Sequence, residues 1–274
     1  MDDLIKDMLS ALFGFDTAKL GELQKSLSDY NTTAYDLVTN LHASAVVPVS
    51  SVVIAIILVL ELARNATHIE GDQQMGVKII AGTMFKSALL IIAAQNSTMI
   101  LDAINEVSSA IITGLGAVDA PSAGSLPEGV ADEISNAGNV DKAGVLMLLI
   151  IPFLIALAAK LVVQVMVIFR FAELYALSAF ASLPIALLGH PDTKSMGVGY
   201  LQRYASVGFQ GATLMLAVKL YAALTEVSDI SGLADDQSLS SWIVGNYVNL
   251  LLAPITLMIL VGASGRIAKA VVGQ

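Results

Sequence analysis

Between residues 143 and 188 the only charged side chains are Lys160, Arg170 and Glu173. A helix through this run would reach about 65–70 Å at about 1.5 Å per residue, more than twice the hydrocarbon thickness of a bilayer at about 30 Å. No soluble fold hides a run of that length. The rest of the chain points the same way: 56% of its residues are hydrophobic and 14% are charged. Soluble domains hold roughly 45–50% apolar and about 25% charged residues. Long Ala/Val/Ile/Leu runs indicate helices rather than a membrane barrel. The sequence therefore predicts an all-α, polytopic transmembrane bundle, which excludes soluble enzymes, secreted disulfide scaffolds and disordered regulators. There is no Cys, so thiol chemistry is absent. His42, His68 and His190 have no ligand spacing. The net charge of −9 offers no basic field to nucleic acid or acidic lipid.

Residues 1–42 mix acids and lysines, without the basic and apolar order of a signal peptide. Leu4, Ile5, Met8, Leu9, Leu12 and Phe13 recur at helical spacing opposite Asp2, Asp3, Lys6 and Asp7. That pattern predicts an amphipathic helix, lying extracytoplasmically, on the membrane or against its own bundle. Asp16 is a candidate N-cap for a second helix through Leu20, Leu23 and Leu27. The first transmembrane pair occupies 43–112, with spans at 43–62 and from 79 towards 112. A Gly-, Pro- and Ser-rich acidic loop is expected over 113–142. The transmembrane core, 143–274, holds the run 143–188, spans at 204–224 and 242–261, and a short tail.

Lys and Arg in short loops set orientation. Segments 113–142 and 225–241 are acidic and nearly free of cations, and belong outside. Arg64 and Lys78, Lys194 and Arg203, and Arg266 and Lys269 mark inside segments. These assignments agree if 143–188 makes one net crossing, as a long helix broken near Pro184. The expected topology is five crossings, N-terminus out and C-terminus in; the alternative, six ordinary spans with two in 143–188, would put one of the cation-bearing segments on the wrong side.

Lys160, deep in apolar sequence, should face a bundle interior or an aqueous path. It either lines that path, as Lys86 would, or pairs with Asp102 or Glu106. Arg170 and Glu173, three residues apart, are an ion-pair candidate at the membrane boundary. Ser178, Ser182 and Ala186, then Gly208 and Ala212, have the spacing of close helix packing or assembly. No nucleotide loop, zinc-protease pair or nucleophile elbow is present, so neither enzyme activity nor a cofactor is expected. Paired broken helices in matching halves, the mark of many secondary transporters, are not evident.

The stretch FRFAELYALSAFASLPIALL (169–188), followed by GYLQRYASVGFQGATLMLAVKLY (199–221), resembles the core of the TrbL-type polytopic subunit of bacterial conjugation machines. Arg170, Glu173, Ser182, Pro184, Ala186, Tyr200, Phe209 and Gly211 carry the likeness. The tail GASGRIAKAVVG is similar to the family's ending, whereas the N-terminal half matches in layout. The resemblance implies a non-enzymatic channel or scaffold subunit of a type IV secretion system in the bacterial cytoplasmic membrane. Its implied partners are the lipid bilayer, other secretion subunits including cytoplasmic ATPases, and transiting single-stranded DNA with attached protein. Five crossings are too few to enclose a DNA strand, so a homo-oligomeric ring, pentameric in one version, is expected to present Lys86 and Lys160 as charged rings. A secondary transporter or small-ion channel using Lys160, and a purely structural scaffold, are the rival readings.

Overall fold

The computed structural model describes residues 1–13, 17–66, 73–118, 129–227 and 238–274. Asp16, His68, residues 119–128 of the expected first acidic loop and 228–237 of the second lie outside them. The described residues contain helices and no strand. In chain order these are α1 (Asp2–Phe13), a 3-10 segment (Thr17–Gln24), α2 (Leu27–Tyr30), α3 (Thr32–Leu41), a π-helical turn (His42–Val46) and α4 (Val47–Ala66). Then follow α5 (Gln73–Gln95), α6 (Ser97–Ala117), α7 (Val130–Asn136) and α8 (Asn139–Ala179). After α9 (Ser182–Ala186) and a 3-10 turn (Leu187–Gly189), α10 (Lys194–Val227) and α11 (Leu239–Val272) end the fold.

Among the described residues five helices are long and apolar enough to cross a membrane: Thr32–Asn65, Gly76–Gln95, Ser97–Ala117, Asn139–Ala179 and Leu239–Val272. Five were expected, but the set differs. The second expected span divides at Asn96 into α5 and α6, each of sufficient length. Asn96 still donates its N–H to Ile92 and accepts from Ile100, so the interruption bends a rod and does not reverse it. The helix covering 204–224, α10, is not in the set. Its residues from Tyr204 to Val218 are nearly all buried and include Ser206, Gln210 and Thr213, which suits a helix surrounded by protein more than one facing lipid.

The run 143–188 is broken, as expected, but upstream of Pro184. The 41 residues of α8 end at Ala179, and Pro184 sits in the first turn of α9, where a missing N–H costs nothing. Pro152 and Pro254 lie inside α8 and α11, positions that membrane helices tolerate when neighbours satisfy the freed carbonyls.

The chain forms two compact units. One comprises Met1–Gln24, Ile112–Phe169 and Gly211–Ile267; the other comprises Lys25–Ile111, Arg170–Gln210 and Ala268–Gln274. In the first, the apolar face of α1 is packed within its own fold: Ile5, Met8, Leu9 and Leu12 join Val130, Ile134, Leu149, Trp242 and Ile243 in one core. Lys142, its side chain 8% exposed, reaches Asp2 at 2.7 Å and pins α1 to the start of α8. In the same unit Lys219 of α10 donates to the carbonyls of Gly116, at 3.2 Å, and Val118. A cation there satisfies the orphan carbonyls at the end of α6.

In the second unit Ile54, Ala94, Ile185 and Ala186 form a core between α4, α5 and α9. Gly197, in the first turns of α10, has no room for a side chain. A Cβ there would fall 2.5 Å from the Pro184 carbonyl oxygen and 2.6 Å from a Leu188 methyl. Gly199 has open space around it.

Two outcomes follow. Gly197→Ala should lower thermal stability in detergent by about 1–3 kcal/mol, the usual cost of overpacking, whereas Gly199→Ala should leave it unchanged or raise it. Hydrogen bonding from Lys142 holds the Asp2 carboxyl below its ordinary range. A carboxylate with a depressed folded pKa stabilises above its unfolded value, about 3.9, and loses that contribution as pH falls through the folded one. Protection of the α1 amides against hydrogen exchange should therefore weaken on acidification below about pH 4, and Asp2→Asn should flatten that dependence.

Candidate functional site

Of the segments singled out, 169–188 and 199–221, residues 170–188 and 199–210 fold with residues 25–111 in the second unit, whereas 211–221 belong to the first. His42 is central there. It is 5% exposed and opens the π-helical turn His42–Val46. Its Nδ1 lies 3.1 Å from the carbonyl oxygen of Ala179, and its Nε2 lies 3.1 Å from Ser97 Oγ. Because a carbonyl only accepts, Nδ1 carries the proton, and Nε2 of the neutral ring accepts from the Ser97 hydroxyl. One imidazole thus joins three irregular places: the π turn, the bend after Asn96 and the end of α8. Turns of this π type are enriched at functional sites.

Arg170 is 2% exposed. Its Nε and Nη2 donate to the carbonyls of Val207 and Gly208, each at 3.3 Å. Nη1 is enclosed without a hydrogen-bond partner, as is the hydroxyl of Tyr204. The Phe171 ring beside the guanidinium, 5.0 Å from its carbon to the ring centroid, stacks on Tyr30 at 3.7 Å. Glu173, expected to pair with Arg170, is instead ion-paired with Arg203 on α10. Three residues along a helix bring two side chains near each other, but Arg170 points inward to a neighbouring backbone and Glu173 does not follow it. Tyr200 donates to Leu177 at 2.6 Å, and Tyr175 donates to Leu27 at 2.6 Å. Together these bonds lock α8 to α10 and to the N-terminal helices.

Of the small residues, Ser182 and Ala186 are fully buried and Ala212 nearly so. Gly208 lets α10 approach α6: a Cβ would lie 2.8 Å from Ser108 Oγ. Lys86 lies 3.5 Å from Glu61, whose other oxygen faces His190 Nε2 at 3.8 Å. Lys160 belongs to the other unit, where it borders a small cavity with Ala11, Leu12, Tyr221, Pro254 and Leu257. Asp102 and Glu106 stand one turn apart on the exposed face of α6. Neither makes a hydrogen bond or ion pair among the described residues.

Sequence reasoning did not single out His42, Tyr204 or Lys219. A lone His in apolar sequence carries no pattern, and its partners are 55 and 137 residues away. Arg203 was legible only as a topology charge. Among the described residues no group of His, Asp and Glu could hold a metal ion.

A family model described as TrbL/VirB6 plasmid conjugal transfer like protein matches residues 18–182, well over half of the chain. That is the family the sequence resembles. The matched stretch differs from the one on which the resemblance rested, since the two share only 169–182. No curated protein and no solved structure matches.

The bonding of Arg170 sets an expectation. A buried charge with one unpartnered nitrogen is replaceable by an apolar side chain at little or no cost, so Arg170→Met should keep or raise the thermal stability of the purified protein. Arg170→Lys retains the charge and loses the fork that reaches two carbonyls. It should destabilise by about 1–3 kcal/mol.

Proposed function

Since the chain belongs to the TrbL/VirB6 plasmid conjugal transfer like family, we propose that it is a non-enzymatic channel or scaffold subunit of a conjugative type IV secretion machine. In this reading it helps move single-stranded DNA, with attached protein, across the bacterial cytoplasmic membrane. The observation that carries the proposal is the family match, which runs through four of the five membrane-crossing candidates. The sequence carries no nucleotide loop. The energy for transport comes from partner ATPases.

A conduit for DNA requires several copies in a ring, because a handful of helices encloses too little space. Ring symmetry multiplies each subunit's charge. Lys160, half-buried beside its small cavity, is the residue we assign to the path. Lys86, whose amine lies 3.5 Å from Glu61, is the second residue we assign to it. Sparse cationic rings let a polyanion slide, whereas a continuous basic groove would hold it through release of many counterions.

Deletion of the gene should abolish transfer of the mobile element while growth and solute uptake continue. Solute uptake by the purified protein in liposomes would instead favour a transporter. Lys160→Met should reach wild-type abundance and assemble into rings of wild-type size, yet reduce DNA transfer. Loss of the protein from the membrane would identify Lys160 as one half of a buried pair, whose breaking costs about 3–5 kcal/mol. Wild-type abundance with wild-type transfer would remove Lys160 from the path altogether.

A further inference from the structure

The turn between α9 and α10 carries a titratable side chain that the conjugation reading leaves unused. The 3-10 turn Leu187–Gly189 packs on α4 and α5, and His190 follows it. Gly189 permits the approach: a Cβ there would fall 2.6 Å from a Leu90 methyl and 3.1 Å from one of Ile57. The His190 side chain, 14% exposed, lies between two carboxylates. Its Nε2 is 3.8 Å from Glu61 Oε2, and its Nδ1 is 3.6 Å from Asp192 Oδ2. That Glu61 oxygen is enclosed and finds no hydrogen-bond partner among the described residues.

The backbone assigns the proton of the neutral ring. The amide of Asp192 lies 3.3 Å from Nδ1, and an amide only donates, so Nδ1 accepts and Nε2 carries the hydrogen. A second proton must enter at Nδ1. It removes the acceptor of the Asp192 amide and makes both ring nitrogens donors, one facing each carboxylate. One neutral bond is then exchanged for two charge-assisted contacts, each roughly twice as strong. The enclosed Glu61 oxygen gains the donor it lacks, which removes the cost of an unmade bond. Closing Nε2 onto it, to the usual charge-assisted length of about 2.8 Å, is a movement of about 1 Å. Among the described residues, the charged groups around this corner are Glu61 and the exposed Arg64 on α4, and Lys86 and the exposed Lys78 on α5. Asp192 and the exposed Lys194 belong to the turn and the start of α10, and the five residues of α9 are uncharged. Lys86 offsets part of the Glu61 charge, but it stands at Oε1 and leaves Oε2 to the ring.

We propose that His190 is a pH-operated latch: protonated, it bridges Glu61 and Asp192 and fastens the turn before α10 to α4; neutral, it lets Glu61 go and accepts the Asp192 amide instead. Imidazole is the side chain that changes charge between about pH 5 and 8, so the latch closes on mild acidification. What it closes is the start of α10, because the His190 carbonyl accepts from the amides of Thr193 and Lys194, at 3.2 and 2.9 Å. The latch lies within the second unit and is independent of whether the assembly carries DNA.

The test uses the full-length protein in nanodiscs of zwitterionic lipid, compared at about pH 8 and about pH 5.5, where carboxylates stay ionised and imidazole changes charge. Hydrogen exchange of the amides of 193–198, corrected for the intrinsic rate, should slow about tenfold at the acid pH, the worth of one charge-assisted hydrogen bond. His190→Gln and Glu61→Gln should each lose that slowing. Asp192→Asn, at a side chain 83% exposed, should reduce it to about threefold, and His68→Gln should keep it in full. Nitrogen spectra of histidine-labelled protein should show, at the alkaline pH, a ring protonated on Nε2 that is missing from His190→Gln, and its doubly protonated form at the acid pH. If His190→Gln and Glu61→Gln do not fold, wild type and Asp192→Asn carry the test. Equal or weaker protection of 193–198 at the acid pH in wild type overturns the proposal. So does a slowing that survives Glu61→Gln or His190→Gln, or one that is lost in His68→Gln. None of these readouts involves DNA transfer, so failure here leaves the conjugation reading standing and the reverse also holds.

Discussion

The carbonyl at the end of α8 is the constraint around which the second unit is organised. A helix leaves its last carbonyls without internal partners, and in hydrocarbon no water replaces them. His42 supplies the donor to Ala179, and the requirement propagates. To reach that carbonyl the N-terminal rod takes a π-helical turn at His42–Val46, and the second ring nitrogen then needs a donor, which Ser97 provides at the bend after Asn96. Beyond Ala179 the chain turns into α9, and Gly197 allows α10 to start directly against Pro184. Lys219 does the same work in the first unit for the end of α6. Helix ends, rather than helix middles, fix where these rods stop.

What was legible in the sequence follows from what periodicity and hydropathy report. They register long apolar helices, so the all-α membrane class, the amphipathic face of α1 and the break after the longest run were accessible from residues alone. They do not register partners distant in sequence. The bend at Asn96 was missed because apolar sequence runs up to Ala94 and an amphipathic pattern continues past it with helical hydrogen bonds on both sides. The burial of α10 was missed because apolar residues serve a lipid-facing and a protein-enclosed helix equally well. The Glu173–Arg203 pair was missed because three-residue spacing proposes a neighbour, while side-chain direction on the helix chooses another.

The family match adds a physical point of its own. The likeness seen in 169–221 rests on the polar interior of the second unit: Arg170, Glu173, Tyr200 and their partners. The match over 18–182 covers the helices that Tyr175, His42 and Phe171 tie to that interior. Tyr175 donates to Leu27, and the Phe171 ring stacks on Tyr30. Within the second unit, residues of the two stretches therefore pack against one another.

The placement of charge orders the unit further. Glu61 with Lys86 and Glu173 with Arg203 neutralise one another, and Arg170 is dispersed over two helix carbonyls. Each of these uses a charge to hold helices in place, with its partners inside the unit. Asp102 and Glu106 are not complete in that way. They share the exposed face of α6 and have no counter-charge among the described residues. A carboxylate cannot stay both ionised and turned to lipid without a large cost. Either α6 presents this face to water and ions, or its carboxylates are neutralised by groups outside the chain. In both cases α6 is the helix of the second unit whose chemistry is left open to something outside the chain. The helices locked by paired charges are the frame that positions it.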